Sequence, residues 1–241
     1  MKPASKRGAR CLGSYPSPRK PLAGNMTLLS GALAVVTNAT DPLGRAIVEV
    51  LADNGATVIA HGATQAKLAA CLGSKRGLTR ISGDISRASV RSLLFAIAQS
   101  HGGATVVVNK VDVPVVTDRL QQRVREAIFA AEAMAIATLA HFSPERRGHL
   151  VNVSPLCQPT PKEFVEAYHT APLTVEAFSD AARNTPGELY GEIMCFRSVL
   201  GTKAEGRPFP SEVFSGYPAP EQIAREILSS LQRRRPKLRL V

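Results

Sequence analysis

The chain has 241 residues, of which 44% are hydrophobic and 20% are charged, and these proportions are typical of a globular protein with a substantial core. Its length fits one large α/β domain better than two small ones. Aromatic residues make up 5% of the chain and Trp is absent, which argues against a base-stacking surface for single-stranded nucleic acid. No apolar run approaches the length that spans a bilayer.

The formal net charge of +11 is confined to the two ends of the chain. Residues 1–25 and 231–241 together hold eleven Lys and Arg residues and no acidic residue, so the body is left with 19 basic and 19 acidic residues. Such ends favour contact with RNA, an anionic lipid surface or an acidic partner. Simple solvation explains them equally well, and the sequence leaves both interpretations open.

Cysteine and histidine residues give no sign of a disulfide framework or a metal site. Four cysteines lie far apart, which is typical of reduced thiols in an intracellular compartment. Five histidines are scattered, with no pair at the spacing of a zinc-binding helix. We therefore expect no bound metal.

Residues 1–27 form a basic extension that contains Pro and Ser, and residues 28–241 form the domain. The extension resembles a mitochondrial presequence because it lacks acidic residues and is rich in Arg, Lys and Ser, although its prolines interrupt the usual amphipathic helix. A disordered arm, or sequence upstream of a start at Met26, are the alternatives. Targeting to mitochondria is the interpretation that we favour here.

A strand, a tight turn and a helix open the domain. Leu33 to Val36 form a short apolar run rich in β-branched residues, and from Leu43 onward apolar residues recur at helical spacing. In such a unit, the helix N-terminus offers backbone N–H groups to a phosphate. The architecture is that of a nucleotide-binding sheet.

Strands and helices alternate along the rest of the chain. The pattern predicts strands at 55–60, 78–81, 104–109, 149–153, 189–200 and 237–241, with helices at 64–72, 86–100, 118–142, 164–183 and 220–233. This alternation predicts an α/β fold with one doubly wound, parallel, Rossmann-like sheet. The helix at 118–142 is apolar nearly all round, so we expect it to be buried on more than one side.

The turn from Thr37 to Gly44 reads Thr-Asn-Ala-Thr-Asp-Pro-Leu-Gly and resembles the Thr-Gly-x-x-x-Gly-x-Gly turn of the short-chain dehydrogenase/reductase family. The resemblance extends over nearly everything from Leu29 onward. The segment after the second strand, 60–64, carries neither the Arg nor the Asp with which the family often selects its nicotinamide dinucleotide. Residues 109–112, Asn-Lys-Val-Asp, stand where the family has Asn-Asn-Ala-Gly.

The resemblance implies a set of residues that contact a nicotinamide dinucleotide. They are Thr37, Asn38, Leu43, Gly44, Asp84, Ile85 and Asn109. Asn38 tolerates the positive φ of the glycine that it replaces, whereas Pro42 removes an N–H donor where the pyrophosphate would bind. Weak binding of NAD(P), or none, is the resulting expectation, with these residues serving as turn and strand-end residues.

The catalytic region matches the family in layout more than in content. Val151 to Pro155 read Val-Asn-Val-Ser-Pro against the family's Val-Asn-x-Ser-Ser, and Tyr168 stands at the family's catalytic Tyr. The Ser position is Pro155 and the Lys position is Pro172, while the helix Asn falls near Ala127. The sequence predicts that Ser154 replaces the missing Ser only at an irregular strand end, because neighbouring strand residues face opposite sides.

Pro172 also affects the backbone, because a proline inside a helix clashes with the carbonyl four residues earlier. We therefore expect the helix to begin late, with Thr170 as its cap, Pro172 in its first turn and Tyr168 before it.

Three functions follow from these observations. The first is a catalytically inactive, dehydrogenase-like accessory subunit of a larger assembly, such as a mitochondrial one, with protein partners and RNA at its basic ends. The second is an NAD(P)-dependent oxidoreductase that uses Tyr168 as general acid, with Lys110 as the nearby cation. The third is an RNA-binding module that uses residues 233–239 and the N-terminal extension. Assembly into a homo-oligomer is left open, and the sequence analysis favours the inactive subunit.

Overall fold

A computed structural model describes residues 29–74, 77–111, 119–156, 171–184, 189–199 and 218–233. Several sequence predictions concern residues outside these ranges. They are the basic extension, residues 1–27, the predicted cap Thr170, the predicted general acid Tyr168, and the predicted last strand at 237–241. These expectations stay predictions.

Six parallel strands form one sheet. They are β1 (Leu33–Val36), β2 (Thr57–Gly62), β3 (Leu78–Ser82), β4 (Val106–Lys110), β5 (Gly148–Leu156) and β6 (Gly191–Val199). Their order in the sheet is β3-β2-β1-β4-β5-β6, so the chain reverses its direction of winding between β1 and β4. The predicted doubly wound, Rossmann-like α/β fold is confirmed.

Six helices connect the strands and cover both faces of the sheet. They are α1 (Pro42–Asp53), α2 (Gln65–Leu72), α3 (Ala88–Ser100), α4 (Leu120–His141), α5 (Ala171–Asn184) and α6 (Pro220–Arg233). One apolar cluster joins α1, α2 and α6 to one face, and a second joins α3 and α4 to the other, with α5 packed against it. Within the described ranges, no helix is both long enough and apolar enough to cross a membrane.

Two predicted helix starts differ from the observed ones because a short polar side chain makes a local hydrogen bond. Thr64, predicted as the first residue of α2, is its N-cap and accepts a hydrogen bond from the Lys67 N–H. Ser86, predicted to begin α3, instead binds the Asp84 carboxylate in the turn before the helix. Capping by short polar side chains competes with helix extension, and apolar periodicity does not reveal it.

The prediction that α4 is buried on more than one side is confirmed in part. Helix α4 packs against β4 and β5 and also against its neighbours α3 and α5, and Met134 and Ala135 are fully buried against the sheet. Phe129 is 61% and Ile136 58% exposed, because no described element covers the side of the helix that faces away from the sheet.

The first turn of α1 shows how this fold holds its opening βα unit together. Asp41 caps the helix through a 2.7 Å bond from the Gly44 N–H to its Oδ1, and Pro42 occupies the first helical position, where a missing N–H costs nothing. Gly44 lies against the backbone of the preceding turn. A Cβ at this position would stand 2.5 Å from the Asn38 carbonyl oxygen and 2.7 Å from the Ala39 Cα.

The backbone around the two prolines of the catalytic region is regular. Helix α5 begins at Ala171, which places Pro172 in the first turn as predicted. Strand β5 continues through Pro155 to Leu156, with Pro155 in register with Ser198 of β6. Since the strand stays regular beyond Ser154, the irregular end that would let Ser154 take the position of the missing Ser is not present in β5.

We expect Gly44→Ala to lower the free energy of unfolding by at least about 1 kcal/mol. Helix propensity alone favours Ala by about 1 kcal/mol, but an overpacked methyl group typically costs about 1–3 kcal/mol, and the obstructing atoms here are backbone atoms that cannot rotate away. Chemical denaturation measures the change. Arg45→Ala, at the exposed neighbouring position, is the control and should shift stability by no more than about 0.5 kcal/mol. A Gly44→Ala variant as stable as the wild type would contradict this account of the turn.

Candidate functional site

A cavity of about 700 Å³ opens at the carboxyl edge of the sheet. Its walls include the residues that follow β1 and β4, the two strands between which the winding reverses. In open α/β sheets, ligands bind in the crevice at this point, and the volume lies within the range of small-molecule and cofactor sites.

The structure brings most of the predicted cofactor-contacting residues together in this cavity. Thr37, Asn38, Asp84, Ile85 and Asn109 line it. Leu43 and Gly44 do not, because both are buried in the first turn of α1 and pack inward. Ala127, the position of the family's helix Asn, also lines the cavity.

Side-chain hydrogen bonds fix the turn after β1 to the end of β4. The Lys110 N–H donates to the Thr37 Oγ1 at 2.9 Å, and the Asn38 Nδ2 donates to the Lys110 carbonyl at 2.8 Å. Asn38 has φ +51°, the left-handed conformation that the sequence predicted for it. The turn therefore keeps its shape with a polar side chain where a glycine would otherwise stand.

Lys110 is buried beside the N-terminus of α1. Its side chain is 6% exposed, and its Nζ lies 2.5 Å from the Oδ2 of Asp41, a carboxylate that is 31% exposed. Asp41 thus uses one oxygen to cap α1 and the other to neutralise a buried ammonium. A buried charge is tolerated only with such a partner.

Asn109 holds α4 and α5 against the sheet. Its Nδ2 donates to the Ala131 carbonyl and to the Asn152 Oδ1, both at 2.9 Å. Asn152 in turn donates to the Ser179 Oγ at 3.0 Å, and that hydroxyl donates to the Val175 carbonyl at 2.7 Å. The chain of buried bonds makes Asn109 a structural support of the cavity wall as well as part of its lining.

Asp84 and His61 form the part of the cavity beside β2 and β3. The Ser86 hydroxyl donates to Asp84 at 2.7 Å and, with the Ser86 N–H, lowers the pKa of that carboxyl, so Asp84 is ionised at neutral pH. His61 is 1% exposed, and its Nε2 lies 3.0 Å from the Gly83 carbonyl. Burial lowers the pKa of His61, which keeps the ring neutral.

No group of His, Cys, Asp or Glu within the described ranges has the arrangement of a metal site.

The catalytic positions are only partly described. Ser154 is 3% exposed and lies within the regular part of β5, while Tyr168 lies outside the described residues. The role predicted for Lys110 as a cation beside Tyr168 stays a prediction. The described contact of the Lys110 ammonium is with Asp41, on the face of the sheet that α1 covers, whereas α5 packs on the other face.

Comparisons with known proteins identify the family. The sequence model of the family described as short chain dehydrogenase matches residues 32–189. The short chain dehydrogenase/reductase astE of Aspergillus oryzae is 26% identical over 231 residues, which cover 83% of this chain and 87% of that protein. The hydroxyacyl-CoA dehydrogenase ChsB1 of Mycobacterium tuberculosis is 37% identical over 108 residues, which cover 40% of this chain and 33% of that protein.

The same fold is found among solved structures. The crystal structure of 3-ketoacyl-(acyl-carrier-protein) reductase from Brucella melitensis, complexed with NADH, superposes with a TM-score of 0.71 at 16% identity and covers 88% of this chain and 94% of that chain. At this identity the likeness concerns the fold. The chain belongs to the short-chain dehydrogenase/reductase family.

These findings overturn the interpretation that the sequence analysis favoured. The prediction of a catalytically inactive accessory subunit is wrong, because the family matched and the relatives named above are dehydrogenases and reductases. The prediction rested on positions that differ from the family, among them Pro155, Pro172 and Ala127, and on the basic ends. It named Lys110 only as a cation for Tyr168, and it had no knowledge of the cavity that Lys110 lines.

The ion pair between Lys110 and Asp41 escaped the sequence analysis, as did the contribution of α4 to the cavity through Arg123 and Phe129. One signal for the first was present: a Lys in the same central strand as a run of buried Val residues is unusual, because Lys is almost never fully buried without a partner. No sequence signal identified Asp41 as that partner.

We expect Asp41→Asn to destabilise the protein more than Lys110→Met. Asn retains the acceptor for the Gly44 N–H, so this variant removes only the charge and leaves the buried ammonium without a partner, at a cost of about 3 kcal/mol. Lys110→Met leaves a carboxylate that is partly exposed and still caps α1. Urea denaturation of both variants tests the order, with Asp53→Asn at the exposed end of α1 as the charge control. Equal losses, or a larger loss for Lys110→Met, would contradict the assignment.

Stability should fall as the pH drops from about 7.5 to about 5.5. Burial lowers the pKa of His61 and of His141, whose Nε2 accepts a 3.0 Å bond from the Ala104 N–H. A lowered folded-state pKa means that stability is complete above the ordinary histidine value of about 6.5 and is lost as pH falls below it. The measurement is the free energy of unfolding against pH. His141→Gln, which keeps an acceptor but does not titrate, should show a smaller decrease, and an unchanged decrease would refute this assignment.

Proposed function

We propose that this protein is an NAD(P)-dependent oxidoreductase that interconverts a carbonyl compound and the corresponding alcohol, with Tyr168 as the general acid. The observation that carries the proposal is the cavity of about 700 Å³ at the carboxyl edge of β1 and β4. Membership in the short-chain dehydrogenase/reductase family supports it.

The residues that line the cavity fit a dinucleotide. Thr37 and Asn38 form the turn on one side, Asp84 and Ile85 offer a polar and an apolar group for the adenosine end, and Lys110 supplies a cation. The cavity thus combines apolar walls with a few polar groups, as cofactor sites do. The cofactor, when bound, supplies or accepts the hydride.

Tyr168 would handle the proton. In the reducing direction its hydroxyl donates a proton to the substrate oxygen as negative charge develops there. Pro172 stands where the family has Lys, so a cation that assists the Tyr168 hydroxyl has to come from another residue.

The substrates to test first follow from the relatives. One is a hydroxyacyl-CoA dehydrogenase, and the Brucella melitensis structure is a 3-ketoacyl-(acyl-carrier-protein) reductase. We include a 3-ketoacyl thioester in the substrate class to be tested, beside simple ketones and aldehydes.

The experiment is to follow NADH and NADPH oxidation by the purified full chain with these carbonyl compounds. Tyr168→Phe should reduce kcat by at least about 100-fold, because general acid catalysis typically contributes about 10²–10⁴-fold. Dinucleotide affinity should change little in this variant, since only a hydroxyl is lost.

Tyr190→Phe is the matched control. It removes the same hydroxyl from a residue just before β6, at the amino edge of the sheet and away from the cavity, and should keep full activity. Failure of the wild-type chain to bind either dinucleotide would overturn the proposed function. Turnover that is unaffected by Tyr168→Phe would overturn the proposed role of Tyr168 as general acid.

A further inference from the structure

The N-terminus of α1 has few backbone donors left for an anion. Pro42, its first residue, has no N–H, and the Gly44 N–H is already bonded to the Asp41 carboxylate. That carboxylate also places a negative charge where a pyrophosphate would approach the helix. Another positive group has to provide the contact if a dinucleotide binds in this cavity.

Lys110 is that group. It lines the cavity, its side chain is 6% exposed, and its ammonium lies beside the N-terminus of α1 in contact with Asp41. Its backbone is fixed on both sides, since its N–H donates to Thr37 and its carbonyl accepts from Asn38. The ammonium at the end of its flexible side chain can therefore change partner while the main chain stays in place.

We propose that the bound dinucleotide's pyrophosphate replaces the Asp41 carboxylate as the partner of the Lys110 ammonium, so that Lys110 provides the anion contact and Asp41 competes with it. The inference rests on the proposed function and deepens it. No bond is made or broken in this exchange; one counter-charge takes the place of another.

The charges and burial of the two partners favour this direction of exchange. A pyrophosphate linkage carries two negative charges at neutral pH, against one on Asp41, so it satisfies a buried ammonium at least as well. Asp41 is 31% exposed and retains its bond from the Gly44 N–H, so it can be hydrated when Lys110 leaves. The cavity also offers an unpaired polar atom, the buried Nδ1 of His61, which has no hydrogen bond within the described part of the chain.

The test measures NADH binding to the full chain by fluorescence titration in four proteins: wild type, Asp41→Asn, Lys110→Met and the double variant. Lys110→Met should raise the Kd by at least about tenfold, because a buried charge contact is lost. Asp41→Asn should lower the Kd by about tenfold, since the competitor is gone while the helix cap remains. In the double variant the gain from Asp41→Asn should disappear, because no ammonium is left to release.

Inorganic pyrophosphate is the second probe. It should compete with NADH in the wild type and more strongly in Asp41→Asn, and it should compete much less in Lys110→Met. Lys67→Met and Asp53→Asn, at exposed positions on α2 and α1, are the charge-matched controls and should leave the Kd unchanged. Thermal unfolding of each variant confirms that the protein titrated is folded.

The outcomes separate this inference from the function on which it rests. If NADH binds to the wild type and to Lys110→Met with the same Kd, the inference is overturned and the proposed function stands. The inference is likewise overturned, and the proposed function stands, if Asp41→Asn lowers the Kd by the same factor in the wild type and in the Lys110→Met variant. If neither NADH nor NADPH binds to the wild type or to Asp41→Asn, both are overturned.

Discussion

A lysine ammonium buried at the carboxyl end of a central strand is the constraint around which this end of the molecule is built. Lys110 ends a strand that begins with three consecutive buried Val residues and continues with Asn109, and its charge cannot remain there without a counter-charge. Asp41 provides that charge from the cap of α1. Strand β4 and helix α1 are thereby joined by an ion pair as well as by apolar packing.

The turn after β1 is held by side-chain contacts at positions where the family has glycines. Asn38 adopts the left-handed conformation and bonds to the Lys110 carbonyl, Asp41 caps the helix, and Pro42 begins it. Gly44 stands where the backbone of α1 approaches the preceding turn too closely for a Cβ. Each of these residues is compatible with the fold. Compared with the glycine-rich turn of the family, the turn has fewer free N–H groups and instead contains a paired positive and negative charge.

Much of this fold follows from local sequence patterns. Helix α6 begins and ends as its apolar periodicity predicts, because Pro220 suits a first helical turn and the apolar residues keep one face. The buried strands are visible as β-branched runs. Helix starts were predicted less well where Thr64 and Ser86 bind backbone or carboxylate groups instead of extending a helix.

The site was less accessible to sequence reasoning than the fold. Motif spacing pointed to residues that the structure places along one cavity, including Thr37, Asp84 and Asn109. It gave no information about Asp41 as the partner of Lys110, because the two residues are brought together only by the pairing of β1 with β4. The functional prediction failed for a related reason. It treated the absence of the family's catalytic Ser and Lys as the absence of an activity, whereas activity depends on all the residues of the site.

The ion pair between Lys110 and Asp41 stabilises the free protein and, in the proposed exchange, opposes the binding of a dinucleotide. Whatever free energy the contact between Lys110 and Asp41 contributes to the free protein is subtracted from the binding free energy of any anion that has to displace Asp41. A ligand with more negative charge than a carboxylate overcomes this opposition, and a neutral ligand gains nothing from it. In the proposed exchange, the pair acts as a filter for charge, and it shortens the residence time of the ligand because Asp41 remains beside the ammonium to take its place again. In the proposed exchange, the stability of the free fold and the affinity for a dinucleotide depend on the same two side chains, Lys110 and Asp41.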